Sequence, residues 1–153
     1  MENILIKDCT EKNLSVAVAE SCTGGLLGAR IVNVPGASKV FKGGVLSYAD
    51  EVKRHLLNVP ENILKEDGAV SAACAEAMAQ GVRRLMNTDL AVAVTGIAGP
   101  SGGSDEKPVG LVYLCAVTEK AVLNRGCNFE GSRLEIRRQA VDAALKMMIE
   151  IIQ

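Results

Sequence analysis

Apolar and polar residues alternate along the chain in a way that predicts strands and helices in turn. Residues 16–19 and 90–94 are continuous apolar runs, which are typical of strands buried on both faces. Residues 26–31 then carry apolar side chains at helical spacing, and an alanine-rich helix is predicted over 72–86 behind Ser71, a favourable N-cap. Helices interleaved with buried strands indicate an α/β fold.

The remaining elements follow from the same patterns. In chain order they are a helix over 2–12, a strand over 14–19, a helix after Ser21, a turn over 33–38, a strand over 43–48, helices over 50–57 and 72–86, a strand over 90–94, a glycine-rich loop over 95–104, strands over 109–117 and 121–129, and a helix over 133–152. We therefore predict a single three-layer α/β/α domain over 1–153, with a mixed, mostly parallel sheet and a C-terminal hairpin followed by a long helix.

The composition argues against several classes of protein. A chain of 153 residues with 48% hydrophobic residues is large enough to bury a core of its own. Its 17 basic and 18 acidic side chains leave a net charge of −1 without a long basic block, which argues against nucleic-acid binding. There is no apolar run of about 18 residues, and acids stand near the N-terminus. We expect no membrane segment, no signal peptide and a cytoplasmic location.

The cysteines predict neither disulfides nor a metal site. The chain has 5 of them, an odd number, and none forms a C-x-x-C pair. We expect reduced, mostly buried thiols, and we expect no metal and no cofactor.

The segment from Glu20 to Gly25 places a hydroxyl and two glycines directly after a predicted buried strand. Ser21 is expected at the N-terminus of the next helix, where free N–H groups and the helix dipole favour an anion. Ser21 would then be a nucleophile, and the amides near Thr23, Gly24 and Gly25 would hold an oxyanion. The alternative is that Ser21 or Thr23 only caps the helix.

Three features fall at the carboxyl ends of predicted strands, where ligands bind in open α/β sheets. They are Ser21, Tyr48 and the glycine-rich loop over 95–104. The loop matches neither the Walker motif nor the dinucleotide fingerprint. Either it is a flexible connection, or its backbone N–H groups bind a phosphate or carboxylate. In the binding interpretation the substrate-binding residues of the loop are Thr95, Gly96, Ala98, Gly99 and Gly102.

A serine nucleophile needs a base, and Lys53 and His55 are the candidates on the helix predicted over 50–57. The helix dipole disfavours a cation near the start of that helix, and burial would act in the same direction, so both effects favour a neutral Lys53. Tyr48 is expected to point into the same cleft from the end of its strand. The alternatives are a surface lysine at position 53 and a solvated histidine at position 55.

Arg133 and Arg137 are i, i+4 neighbours at the start of the last predicted helix, and Arg137 falls on its apolar stripe. An arginine that points inward needs an anion as its partner. A ligand phosphate and an internal carboxylate are both possible partners.

Several separated motifs resemble the C-terminal domain of the competence-damage-inducible protein family, known as CinA, in its stand-alone form as a nicotinamide mononucleotide deamidase. The resemblance covers about residues 14–145. The motifs that carry it are Ala-Glu-Ser-Cys-Thr-Gly-Gly over 19–25, Gly-Gly-Val-Leu-Ser-Tyr over 43–48 with Lys53, Gly-Ala-Val-Ser over 68–71, the loop over 95–110, and Gly-Ser-Arg over 131–133 with Arg137.

The resemblance implies hydrolysis of nicotinamide mononucleotide to nicotinic acid mononucleotide and ammonia, without a metal ion. It implies Ser21 as the nucleophile, with Tyr48 and Lys53 handling its proton. We expect the substrate phosphate on the loop over 95–103, with Arg137 as a counter-charge. The resemblance also implies a homodimer or a larger homo-oligomer.

Two positions depart from the family pattern, since Ser101 and Ser132 stand where the family commonly has Asp. These departures motivate an alternative hypothesis, a non-catalytic nucleotide-binding or protein-interaction module of the same fold.

Overall fold

Five strands form one sheet in the computed structural model, which describes residues 1–153. The strands are β1 (Val16–Glu20), β2 (Phe41–Leu46), β3 (Leu90–Gly96), β4 (Leu111–Val117) and β5 (Val122–Asn128). The helices are α1 (Glu2–Glu11), α2 (Leu26–Val32), α3 (Asp50–Leu57), α4 (Glu61–Glu66), α5 (Ala72–Met86) and α6 (Arg133–Ile151), with a 3₁₀ turn at Ala37–Lys39. None of these helices combines the length and the apolar character needed to cross a membrane.

The strand order β2-β1-β3-β4-β5 confirms the predicted mixed sheet. β1 lies between β2 and β3 and runs parallel to both, whereas β4 runs antiparallel to both β3 and β5. Only β4 therefore opposes the common direction, and β4 and β5 form the predicted hairpin. Because β1, β2 and β3 are parallel, their carboxyl ends meet at one edge of the sheet.

Helices cover both faces of the sheet, so the predicted three-layer architecture is confirmed. Successive residues of a strand point to opposite faces. In β1, Val16 and Val18 pack in the cluster formed with α1, α2 and α6, while Ala17 and Ala19 pack in the cluster formed with α5. This double burial explains why the strands are continuous apolar runs.

A glycine brings α5 close to the end of α3. A Cβ atom at Gly81 would lie 2.1 Å from the carbonyl oxygen of Leu57. No other residue fits such an approach without movement of the backbone. Gly81 therefore helps to hold α3, the helix that carries Lys53, against the rest of the fold.

The predicted bounds of α3 and α5 are confirmed, and several other bounds were wrong. β2 ends at Leu46, so Tyr48 lies in the connection after it, whereas the helical spacing predicted from residue 26 agrees with α2. α4 was not predicted, because it is 6 residues long and has no fully buried residue, so it carries no apolar stripe.

Candidate active site

A cleft of about 200 Å³ opens at the carboxyl ends of β1, β2 and β3. The residues that line it are Ser21, Cys22, Tyr48, Asp50, Lys53, Ala69, Val70, Thr95, Gly96, Ala98 and Arg133. Ligands bind at this edge of open α/β sheets. The three residues predicted to be catalytic therefore face one cleft, although they come from different segments of the chain.

Ser21 lies in a turn between β1 and α2, and the prediction that it begins a helix was wrong. Gly24 and Gly25 have φ angles of +57° and +98°, a region that L side chains rarely adopt. Two successive left-handed residues delay the helix, which begins at Leu26. The N–H group of Ser21 donates to the carbonyl oxygen of Val94 at 3.0 Å, which fixes the turn to β3.

A carboxylate of the chain itself occupies the N-terminus of α2. Glu20 is only 1% exposed and accepts hydrogen bonds from the N–H groups of Gly25 at 3.0 Å, Leu27 at 3.1 Å and Gly28 at 2.8 Å. The helix dipole and the three donors stabilise its charge. These amides are therefore not available to a substrate, and the predicted role of Gly25 as an oxyanion donor was wrong.

Two amides of the turn have no acceptor within the protein. Gly24 N–H donates to the carbonyl oxygen of Ser21 at 3.1 Å, and Leu26 N–H donates to that of Thr23 at 3.2 Å. The N–H groups of Cys22 and Thr23 make no such bond. Backbone donors are nearly always paired in folded proteins, so two unpaired donors next to Ser21 are unusual. Cys22 lines the cleft, and Thr23, the next residue, is 0% exposed, so its N–H is a buried donor without a partner. The amide of Gly24, which was also predicted to bind substrate, is not among the unpaired donors.

Lys53 reaches Ser21 inside the protein. Its Nζ lies 3.1 Å from Ser21 Oγ, 2.6 Å from the carbonyl oxygen of Ser47 and 3.2 Å from that of Tyr48. The side chain is 1% exposed. A neutral amine has two protons for the two carbonyl groups and one lone pair left for the hydroxyl of Ser21. The arrangement thus suits an amine that accepts a proton from the serine.

Burial lowers the pKa of Lys53, because the charged ammonium loses its hydration. Asp50, which lies 3.9 Å from the Nζ of Lys53, acts in the opposite direction but is the smaller effect. The lowered pKa favours the neutral amine, in agreement with the expectation from the sequence.

Tyr48 lines the mouth of the cleft, and its hydroxyl contacts neither Ser21 nor Lys53. The side chain is 65% exposed, and its hydroxyl accepts a hydrogen bond from Arg133 at 3.2 Å. Only its backbone carbonyl binds Lys53. A part for this phenol in proton transfer stays a prediction.

Arg133 and Arg137 of α6 have different partners, and the prediction that Arg137 serves as a phosphate counter-charge is not supported. Arg137 donates through Nε to the carbonyl oxygen of Cys22 at 3.0 Å and through Nη2 to that of Thr23 at 2.9 Å. It does not line the cleft. The carbonyl groups of the turn face α6 and are the partners of Arg137, in place of the phosphate or carboxylate considered from the sequence. Arg133 does line the cleft and donates to the carbonyl oxygen of Gly99 at 2.7 Å.

The glycine-rich loop contributes only its first part to the cleft. Thr95, Gly96 and Ala98 line it, whereas Gly99 and Gly102 do not. Thr95 is buried, and its hydroxyl donates to the carbonyl oxygen of Ala69 at 2.8 Å, so its proton is used within the protein and only its oxygen lone pairs are left as acceptors.

The other titratable groups weighed from the sequence lie elsewhere. His55 is exposed on α3, with its Nε2 3.3 Å from Arg54. The predicted free cysteines are confirmed, and all but Cys127 are buried. No group of three or more His, Cys, Asp or Glu side chains is arranged to hold a metal ion.

Glu20 and Asp50 belong to the site, although the sequence patterns did not single them out. Asp50 opens α3, and an acidic residue in the first turn of a helix is a known signal, whereas Glu20 is the last residue of β1. The carboxylate of Glu20 reaches the helix from the last residue of a strand, five positions before Gly25, and no capping pattern has that spacing.

The chain matches the family model of the CinA C-terminal domain over residues 1–152. It is 50% identical over 148 residues to a putative competence-damage inducible protein from Caldicellulosiruptor bescii. The aligned region is 97% of this chain and 36% of that relative. It is also 50% identical over 137 residues to a CinA-like protein from Dictyoglomus turgidum, which covers 90% of this chain and 33% of that relative. The chain thus spans about a third of the length of these relatives.

Solved structures show the same fold over nearly their whole length. The crystal structure of the competence/damage inducible protein CihA from Agrobacterium tumefaciens has a TM-score of 0.96 and 41% identity, over 99% of this chain and 95% of that one. A CinA superfamily protein from Klebsiella pneumoniae has a TM-score of 0.95 and 30% identity, over 99% of this chain and 94% of that one.

Proposed function

The chain belongs to the CinA C-terminal domain family, and from this premise we propose that it is an amidohydrolase that converts nicotinamide mononucleotide to nicotinic acid mononucleotide and ammonia. The observation that carries the proposal is the contact of 3.1 Å between the buried amine of Lys53 and the hydroxyl of Ser21 at the base of the cleft. Such a pair is what nucleophilic attack by a serine needs.

In the first step the Oγ of Ser21 adds to the carbonyl carbon of the carboxamide, and its proton passes to the lone pair of Lys53. The carbonyl oxygen becomes an oxyanion, which the free N–H groups of Cys22 and Thr23 stabilise. The oxyanion then collapses and breaks the C–N bond, and Lys53 returns the proton to the leaving nitrogen, which departs as ammonia.

The second half of the reaction uses the same groups in reverse. Water adds to the acyl-serine ester while Lys53 takes one of its protons. The new tetrahedral intermediate breaks its bond to Ser21 Oγ, which recovers a proton from Lys53. The product leaves as the pyridine carboxylic acid, which loses its proton to water, and the enzyme has regained its starting state.

Arg133 supports a nucleotide as the substrate. It is the arginine that lines the cleft, where it donates to the exposed hydroxyl of Tyr48. Guanidinium groups bind phosphate strongly. The N–H group of Ala98, which also lines the cleft, has no acceptor in the protein and adds a donor. We place the phosphate there, and Arg133 takes the role that the sequence suggested for Arg137.

The departures from the family pattern remove no group from the cleft. Ser101 is exposed in the loop, and Ser132 caps α6 by accepting from Glu135 N–H while the Glu135 carboxylate accepts from Ser132 N–H. Neither serine lines the cleft. This favours the enzyme over the non-catalytic module.

Incubation of the pure protein with nicotinamide mononucleotide tests the proposal, with ammonia and nicotinic acid mononucleotide measured together. We expect both products in equal amounts, and we expect S21A to lose about 10³-fold or more in kcat, since the nucleophile is removed. Nicotinamide riboside, which lacks the phosphate, should react with a much higher KM. Binding of the nucleotide without turnover would instead support the non-catalytic module.

A further inference from the structure

Arg137 contacts the turn over residues 21–25, which we call the nucleophile turn. Its guanidinium holds the carbonyl oxygens of Cys22 and Thr23 at 3.0 and 2.9 Å, and it lies outside the residues that line the cleft. A Cβ atom at Gly24 would lie 3.3 Å from its Nη2, so only a glycine leaves the guanidinium this room at ordinary contact distances.

The direction of a carbonyl group fixes the direction of the next amide. The peptide unit is planar and trans, so the C=O of one residue and the N–H of the following residue point in opposite directions. With the carbonyl oxygen of Cys22 held by Arg137, the N–H of Thr23 points away from α6. This N–H is one of the two donors in the turn that have no acceptor.

The rest of the turn is anchored independently. Glu20 holds the amides of Gly25, Leu27 and Gly28, and Gly24 N–H donates to Ser21. The peptide unit between Cys22 and Thr23 lacks such an anchor on its amide side. Arg137 is therefore the group that sets its rotation.

We propose that Arg137 is a positioning residue that orients the Cys22–Thr23 peptide so that its N–H can bind the oxyanion formed at Ser21. The inference rests on the proposed function and concerns how that site is assembled. Arg137 does not touch the substrate, so its loss lowers the rate of the chemical step and leaves substrate binding nearly unchanged.

Steady-state kinetics of R137A and R137K test this role, with R138A as the matched control. Arg138 is the next residue of the same helix and is exposed. Loss of one oxyanion donor costs about 10²- to 10³-fold in kcat, so we expect a fall of at least about tenfold in kcat for R137A, with KM within about threefold of wild type. R137K cannot bind two carbonyl oxygens with one fixed fork, so we expect an intermediate rate.

Added guanidinium chloride at low concentration should restore part of the kcat of R137A and leave R138A unchanged. Should R137A fail to fold, R137K and the rate at which a fluorophosphonate probe labels Ser21 decide the question. The probe forms a P–O bond to Ser21 with loss of fluoride, and it needs the same oxyanion donors but not the nucleotide.

The outcomes separate the two proposals. If Ser21 of the wild type is labelled but nicotinamide mononucleotide is not hydrolysed, the proposed substrate is wrong. The role of Arg137 is then tested by comparing the labelling rates of wild type and the Arg137 variants. Equal labelling rates and equal kcat values for wild type and the Arg137 variants would overturn the positioning role. A rise in KM alone would overturn it as well, because it would make Arg137 a substrate-binding residue.

Discussion

Replacement of Glu20 by glutamine tests whether an internal carboxylate holds the nucleophile turn. In the wild type Oε2 accepts from Gly25 and Leu27, and Oε1 accepts from Gly28. A glutamine has one oxygen and one NH₂ group. The oxygen can keep the two donors that share Oε2, but the NH₂ group then faces the N–H of Gly28, so at least one hydrogen bond is lost.

The structure gives a magnitude for this change. A hydrogen bond to a charged group contributes about 1.5–3 kcal/mol, and the charge at a helix N-terminus about 0.3–1 kcal/mol. Since Glu20 is 1% exposed, solvent screens little of either contribution. We expect E20Q to lower the free energy of unfolding by about 2–4 kcal/mol, a large share of the roughly 5–15 kcal/mol of an ordinary domain.

Urea denaturation followed by circular dichroism measures this loss, and E119Q serves as the control. Glu119 is exposed between β4 and β5 and makes no salt bridge, so its change should stay within about 0.5 kcal/mol of wild type. We also expect slower labelling of Ser21 in E20Q at temperatures where the variant is folded. An E20Q protein as stable as E119Q, with an unchanged labelling rate, would refute the reasoning.

The remaining predictions concern the site and its supports. In K53M we expect a loss of about 10²- to 10⁴-fold in kcat, the range for a general base, measured as ammonia release with S21A as the zero reference. Because burial lowers the pKa of Lys53 and the neutral amine is the base, kcat/KM should rise with pH through that lowered pKa, and a pH profile that stays flat would contradict the assignment. In Y48F we expect a kcat within about tenfold of wild type, since the hydroxyl of Tyr48 contacts Arg133 only. A fall in kcat of about 10²- to 10⁴-fold would instead show that the phenol takes part in proton transfer. R133A should raise KM for the nucleotide with little change for the riboside, and equal effects on the two compounds would remove the phosphate from this position. G81A should unfold at lower urea than wild type, because its Cβ would lie 2.1 Å from a carbonyl oxygen of α3, and equal midpoints would show that the helices separate freely.

Most of the architecture could be predicted from the sequence, because local patterns and tertiary packing agree in it. The apolar run over 90–94 is a central strand, and the alanine-rich segment is α5 with Ser71 as its N-cap, which accepts from Cys74 N–H at 3.1 Å. Each of these elements is recognised from one stretch of chain. The short helix α4 has no fully buried residue and only two apolar side chains, Ile63 and Leu64, so the same patterns do not find it.

The site could be predicted less completely, because its supports join residues that are distant in the sequence. Ser21 and Tyr48 could be found because each follows a strand closely, and Lys53 because it lies near the start of the helix that comes next. The partner of Arg137 could not, since Cys22 and Thr23 lie more than 100 positions away and offer carbonyl groups, which carry no side-chain signal. A phosphate and a carboxylate were the natural partners to weigh for an inward arginine.

The burial of Lys53 at the base of the cleft costs folding stability but suits the proposed chemistry. Lysine is among the residues least often buried, yet Lys53 is 1% exposed. Because folding lowers its pKa, the burial costs stability below that lowered pKa, and the cost disappears as the pH rises toward the value of an exposed lysine. Two carbonyl groups at the end of β2 offset part of this cost by accepting from its Nζ. A chain selected for stability alone would place an apolar side chain there. The buried amine is therefore explained by its contact with the hydroxyl of Ser21, and not by a contribution to stability.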